Sequence, residues 1–380
     1  MKTKIPDIVF AILFMSALIV PLALLDPDGG KVSEQENRTL AARPPLADMI
    51  RRPQGFIRQF DGWFTDNTGF RPGMIDLYKQ VDRIETRGLY TEGEYRYLIG
   101  EQGHRFFAGG DWVDMVSIFQ GKPLLDDEQL GTVTARMKEM KQYLDERGIP
   151  FVVMICTDKE SIYPEYYSKS IKRGPEPAPL DTLTDYLREN TGADVFNIKE
   201  CLLAEKDNYL LYNKDSGDLT HYNDIGAFFA YRELMDHISA YMPDMEPFTL
   251  DDIDIAYNGK GIPGTSLKQG KTSRKLGAGF FDDVEIVWPF TWANLAFEKD
   301  GPALPTILIM RDSYSCAGDE KKPFLSGYIP EHFSKTILIH YDNIAHFEEY
   351  IDLYKPDIVV FEAVDRNLCS FAYSITDPPS

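Results

Sequence analysis

Residues Thr306–Ala317 read TILIMRDSYSCA. The run Thr306–Met310 is apolar, rich in β-branched side chains and short, which predicts a strand buried on both faces. It stops abruptly at Arg311-Asp312-Ser313-Tyr314-Ser315. A hydroxyl at the carboxyl end of a central strand stands where α/β folds place their chemistry. Working outward, Lys335–His340 and Pro356–Glu362 read as further strands, with helices over 324–329 and 345–354 between them. Upstream, Leu130–Arg147 has helical apolar spacing and ends at Gly148, a C-cap residue. Phe151–Cys156 (FVVMIC) is a buried strand, Leu180–Asn190 a helix, Gly192–Ile198 a strand, and Gly226–Met242 a helix stopped by Pro243. Helix and strand alternate, so the expected class is α/β, a parallel sheet flanked by helices.

The chain has 380 residues, enough for one large or two smaller domains, and its 43% hydrophobic content supplies a substantial core. The net charge of −20 argues against nucleic acid, whose phosphates need a basic surface. It suits a neutral or cationic ligand. The four cysteines, Cys156, Cys201, Cys316 and Cys369, form no CxxC pair, and no histidine stands at ligand spacing from a second one. No metal and no cofactor is expected.

Residues Ile8–Leu25 are almost wholly apolar, follow Lys2 and Lys4, and precede Asp26 and Asp28. As a helix they would extend about 27 Å, enough to cross a bilayer core. The expectation is an N-terminal transmembrane helix, an uncleaved anchor within residues 1–30, with a cleaved signal peptide as the alternative and the rest of the chain outside the cytoplasm. Residues 31–110 read as a membrane-proximal segment. It holds a proline-containing tether, a helix over Phe56–Phe64, a second amphipathic helix to about Arg87, and a hairpin over Tyr97–Phe107. Residues 111–380 form the catalytic domain, interrupted at about 247–302 by a glycine-dense, β-rich insertion with short strands such as Val284–Trp288.

A serine becomes a nucleophile when a base and an orienting acid reach it. His221, in Asp218-Leu219-Thr220-His221-Tyr222-Asn223, is the base for Ser313. Asp218, three residues earlier, is the orienting acid or alternatively a turn residue after Gly217. Oxyanion donors are expected from backbone N–H groups near Ser313.

Five stretches carry a resemblance: SEQENRTLAARP followed by FDGWFTDNTGFRPGMIDL, TDKESIYPEYY, DLTHYNDIGA, RDSYS, and YKPDIVVFEAVDRNL. Together they resemble the SGNH-hydrolase-like O-acetyltransferases of exopolysaccharide and alginate biosynthesis, the DHHW group, with the histidine block before the serine block as in that family. The match departs at two blocks. Where the family has Asp-x-His-Trp, this chain has Leu219 in the aspartate's place and Tyr222 in the tryptophan's; Asp218 then serves through the Asp-x-x-His spacing of ordinary SGNH hydrolases. Arg311 stands where such enzymes often carry glycine.

The resemblance implies an SGNH-like fold and acetyl transfer through an acyl-enzyme on Ser313 to a polysaccharide hydroxyl. It implies an acetyl donor supplied by a membrane-bound O-acyltransferase, and an extracytoplasmic site. Lys159, Tyr163, Tyr222, Arg311 and Tyr314 are candidate substrate contacts, with Lys159 and Tyr163 alternatively supporting their loop. Two other functions fit the same residues: a carbohydrate esterase, and a glycan-binding scaffold with a decayed site.

Overall fold

The computed structural model describes residues 5–33, 38–69, 71, 88–286, 294–301, 303–316 and 324–376. The chain forms two compact units, Met1–Thr86 and Arg87–Ser380.

In the first unit Ile5–Ala23 is a helix of 19 residues. Among the described residues no helix is long and apolar enough to cross a membrane, so the expected transmembrane anchor has no support there. Strands β1 (Val32–Ser33) and β2 (Arg38–Thr39) pair antiparallel. A helix over Pro53–Asn67 starts on its proline, where the missing N–H costs nothing. Arg38 donates to both oxygens of Asp66 at 2.8 and 2.6 Å and holds that carboxyl down at about 2. The second amphipathic helix expected to Arg87 falls on residues outside the described ones.

The second unit opens with an antiparallel meander of β3 (Leu89–Glu92), β4 (Tyr95–Ile99) and β5 (Arg105–Gly109). Its main sheet contains β6 (Phe151–Cys156) and β7 (Asp194–Asn197). A separate hairpin follows, β8 (Ile253–Tyr257) with β9 (Pro263–Leu267). The remaining strands, β10 (Arg274–Lys275), β11 (Leu295–Glu298), β12 (Thr306–Arg311), β13 (Lys335–His340) and β14 (Ile358–Val364), return to the main sheet. Its order is β10-β11-β13-β12-β14-β6-β7. The strands from β13 to β7 are parallel, while β10 and β11 add an antiparallel edge.

The region about 247–302 is therefore only partly an insertion, since β10 and β11 lengthen the main sheet. The strand expected at Val284–Trp288 is not formed over 284–286, and 287–288 lie outside the described residues. In place of one helix over 324–329 there are two 3₁₀ turns, Phe324–Gly327 and Ile329–Glu331.

β12 lies in the middle of the sheet and its side chains alternate between two cores. Ile307 and Ile309 pack on one face, Leu308 and Met310 on the other, all fully buried. Each such side chain contributes about 2 kcal/mol. One face is closed by the helix Asp127–Asp145, which buries Val133, Met137, Met140 and Leu144 at helical spacing. Its start is a capping box: Gln129 N–H donates to Asp126 Oδ1 (2.9 Å) and Asp126 N–H to Gln129 Oε1 (3.0 Å). The other face is closed by the helix Asp224–Ser239, where Asn223 Oδ1 accepts from Ile225 and Gly226 N–H, both at 3.1 Å. A Cβ on Gly226 would fall 2.5 Å from Leu211 O and 2.8 Å from Tyr222 Cβ. Only glycine lets this helix start against the segment that carries His221.

At the far edge of the unit Glu331, 6% exposed, accepts from the N–H and hydroxyl of both Thr272 and Ser273 at 2.5–3.1 Å. Burial alone would raise its carboxyl; these four donors overcome that and hold it at about 2. A carboxyl lowered in the folded state stabilises above its unfolded pKa, about 4.3, and loses that contribution as pH falls toward 2. Glu331→Gln should therefore cost on the order of 2 kcal/mol at pH 7. By urea unfolding, the gap between variant and wild type should narrow from pH 5 to pH 3. An equal gap at both pH values would show that the carboxylate's charge contributes nothing.

Candidate active site

Ser313 follows β12 directly, at the carboxyl ends of the parallel strands. It is partly exposed, while Asp312, Tyr314 and Ser315 around it are buried. The turn is held from inside the protein. Asp312 accepts from Tyr314 N–H (2.8 Å) and Val364 N–H (2.8 Å) through its two carboxyl oxygens, and from the Asn367 carboxamide (2.9 Å). Glu362, on the neighbouring β14, accepts from Ser315 Oγ (2.5 Å) and Asp312 N–H (3.3 Å). Burial, with Asp312 beside it, pushes the Glu362 carboxyl well above the usual range. Arg311 is fully buried and donates to the carbonyls of Asp312 (2.9 Å) and Cys316 (3.1 Å), wrapping the turn around its own side chain.

His221 lies across from it. His221 Nε2 is 2.8 Å from Ser313 Oγ, and His221 Nδ1 is 2.9 Å from Asp218 Oδ2. A proton on Nδ1, donated to Asp218, leaves Nε2 as the acceptor for the serine hydroxyl. Asp218 is also the turn residue of the alternative reading: its Oδ1 accepts from Thr220 N–H (3.0 Å) and His221 N–H (3.2 Å). One carboxylate shapes the loop with one oxygen and orients the imidazole with the other. The imidazole packs against Tyr314 and Phe324, at ring centroid distances of 4.9 and 5.7 Å.

The five candidate substrate contacts are all buried, and of them Tyr222 also borders a cleft. Lys159, 2% exposed, donates to the carbonyls of Arg105, Asn213 and Lys214 at 2.6–2.9 Å. Burial draws its ammonium down to about 7, while three carbonyl partners match the three N–H groups of the charged form. Tyr163 is buried, accepting from Leu211 N–H at 3.1 Å, and burial raises its phenol to about 12. Tyr222 OH donates to Tyr314 O (2.6 Å) and Tyr314 OH to Thr220 O (2.5 Å). These side chains and Arg311 are spent on backbone N–H and carbonyl groups and hold the loops that carry Ser313, His221 and Asp218. Tyr314 N–H, one of the backbone donors next to Ser313, is bonded to Asp312.

Two supports escaped sequence reading. Asp158 and Arg366 form a buried ion pair under Tyr314. Both stand in quoted stretches, TDKESIYPEYY and YKPDIVVFEAVDRNL, yet nothing in their spacing links residues so far apart in the chain. The second is a cleft of about 380 Å³ beside Asp218, Tyr222 and Phe324, walled by the β8–β9 hairpin. Among the described residues no group of His, Cys, Asp and Glu is placed to hold a metal ion.

Residues 118–250 match the family described as SGNH hydrolase-like domain, acetyltransferase AlgX. No curated protein matches the chain. Among solved structures, Bacillus cereus PatB1 with a sulfonyl adduct is similar in fold: 14% identity, 74% of this chain and 96% of that one covered, TM-score 0.51. The O-acetyltransferase domain of Pseudomonas putida AlgJ aligns at 15% identity, covering 74% and 98% of the two chains, with a TM-score of 0.43. Pseudomonas aeruginosa AlgX aligns at 14% identity, covering 72% and 65%, also with a TM-score of 0.43.

Proposed function

We propose that this chain, whose residues 118–250 match the AlgX acetyltransferase family, transfers acetyl groups to hydroxyls of a polysaccharide through an acyl-enzyme on Ser313. The observation that carries the reading is the continuous relay from Ser313 Oγ to His221 Nε2 at 2.8 Å and from His221 Nδ1 to Asp218 Oδ2 at 2.9 Å. In the first half-reaction Ser313 Oγ attacks the acetyl carbonyl and His221 takes its proton, then returns that proton to the leaving group. In the second, His221 takes the proton of a glycan hydroxyl as that oxygen attacks the acyl-enzyme, and Ser313 is released. Asp218 keeps the imidazole in the productive tautomer throughout.

Incubation of the protein with p-nitrophenyl acetate should add one acetyl group to its intact mass. Ser313→Ala should take up none, and an oligosaccharide acceptor should discharge the adduct as acetylated sugar. Discharge to water alone, across glycans of several compositions, would make the protein an esterase. An adduct that survives Ser313→Ala would remove Ser313 as the nucleophile.

The reading places the catalytic unit outside the cytoplasm, with an acetyl donor delivered at the membrane by a membrane-bound O-acyltransferase. The exposed apolar side chains of the N-terminal helix, such as Phe10, Leu13 and Phe14, and the lysines that precede it support attachment to a bilayer. Protease added outside spheroplasts should degrade the part of the chain beyond this helix. Full protection, with another exported protein cleaved in the same sample, would overturn the placement.

A further inference from the structure

In the first unit, residues 43–60 read RPPLADMIRRPQGFIRQF. They form the short helix Asp48–Arg51 and the first half of the helix Pro53–Asn67. Leu46, Met49, Ile50, Ile57 and Phe60 are all exposed, Ile50 to 88%. A single apolar side chain at a surface needs no explanation, but five in one short segment do. The longer helix has an inner side of its own. Trp63 and Asn67 are buried there, and the Asn67 carboxamide donates to Ala41 O and Trp63 O, both at 2.8 Å. Ile57 and Phe60, one turn apart, stay outside. Arg43, Arg51, Arg52 and Arg58 are exposed in the same segment, against one aspartate, Asp48. Four positive charges and one negative give residues 43–60 a charge of +3, in a chain that carries −20. Arg51, Arg52 and Arg58 form no ion pair among the described residues. The segment is also placed by backbone bonds. Gly69 N–H donates to Pro21 O and Asp26 N–H to Asn67 O, both at 3.0 Å. The end of the helix Pro53–Asn67 is thereby tied to the end of the apolar helix Ile5–Ala23.

We propose that residues 46–60 lie on the surface of an anionic bilayer, so that the chain holds the membrane at this segment as well as through its N-terminal helix. The inference rests on the bilayer attachment proposed for that helix and adds a second contact to it. A negative lipid surface uses both features of the segment: the acyl region takes the apolar side chains, and the lipid phosphates take the arginines. Arginine suits this boundary, because its stem packs against apolar groups while its head reaches the phosphates. The bonds at Pro21 and Asp26 put the helix Pro53–Asn67 beside the point where the apolar helix ends, which is the level of the headgroups if that helix enters a bilayer. The electrostatic part of this contact is screened by salt.

The test uses the full chain reconstituted into vesicles of phosphatidylcholine, alone or mixed equally with phosphatidylglycerol. Attachment is read by flotation. Docking of the segment is read from a nitrobenzoxadiazole label at Ile50→Cys or, separately, at Ile57→Cys. The unsubstituted chain, labelled in parallel, gives the background from its four cysteines. In mixed vesicles at low salt, lipids that carry a nitroxide near the headgroup should quench both labels at least about twofold. Arg51→Glu with Arg52→Glu should lower the ratio of docked to undocked segment by at least about tenfold in mixed vesicles, and far less in phosphatidylcholine alone. Added salt should bring the two lipids closer together. All these positions are exposed, so melting temperatures should hold. A chain that floats with the mixed vesicles while either label stays in water overturns the inference and leaves attachment through the N-terminal helix standing. Labels in water on pure lipid but shielded in native membranes would overturn it too, and assign the segment to a protein partner. Equal docking in both lipids, unmoved by the arginine substitutions, overturns the anionic surface. A chain that floats with neither vesicle overturns both the attachment and the inference.

Discussion

In a His221→Ala protein, acetylation of Ser313 by p-nitrophenyl acetate should slow by about a thousandfold. The serine hydroxyl is a poor nucleophile until its proton has an acceptor. Nε2 of His221, 2.8 Å away, is the basic atom bonded to it. The glycan hydroxyl of the second half-reaction needs the same acceptor, so the loss should extend to sugar transfer. Asp218→Asn is the finer probe. The variant keeps the size of the side chain, but its carboxamide can turn N–H₂ toward His221 Nδ1. The imidazole proton is then driven to Nε2, the atom that must accept from Ser313. A loss of about a hundredfold or more is expected from this change of tautomer alone. Asp218 also accepts from Thr220 and His221 N–H, so melting temperatures must accompany the rates. The rates should be read as single turnovers by intact mass, which separates acylation from discharge. A His221→Ala rate within threefold of wild type would remove His221 from the chemistry.

Much of this arrangement is legible in the sequence because it depends on local pattern. FVVMIC and TILIM are short, apolar and β-branched or bulky, and they form strands buried throughout except at Thr306, paired on either side of β14. Asp-x-x-His spacing suffices to bring Asp218 to His221 because a single tight loop carries both. Less legible is anything fixed by partners distant in the chain. β11 is four residues long in a glycine-dense region, and its place in the main sheet comes from pairing with β13. A tyrosine at the end of a strand looks the same in sequence whether it faces a sugar or a carbonyl. Tyr314 faces the carbonyl of Thr220, 94 residues earlier, and that contact exists only once the sheet has formed.

Tyr222→Phe and Tyr314→Phe should each slow acylation of Ser313 by about ten- to thirtyfold, with KM for the ester little changed. Tyr222 follows His221 and donates to the carbonyl of the residue after Ser313, at 2.6 Å; Tyr314 follows Ser313 and donates to the carbonyl of the residue before His221, at 2.5 Å. Both bonds end on Tyr314, one at each sequence neighbour of His221, and tie the two loops together beside the Ser313–His221 contact. Each substitution deletes a hydroxyl and keeps the ring, so the packing of Tyr222 against Phe324 and of Tyr314 against His221 survives. Leaving a buried carbonyl without its donor should also cost about 1–2 kcal/mol of stability. Stability alone, however, does not identify a positioning role. The distinguishing measurement is the same pair of substitutions in a His221→Ala background. If the tyrosines act by holding His221 against Ser313, removing their hydroxyls should slow the residual reaction no further, because there is no base left to place, while the loss of stability persists. If Tyr314→Phe slows acylation equally in both backgrounds, its hydroxyl serves the serine turn alone. If either single variant acylates at the wild-type rate, that hydroxyl does not set the distance between nucleophile and base.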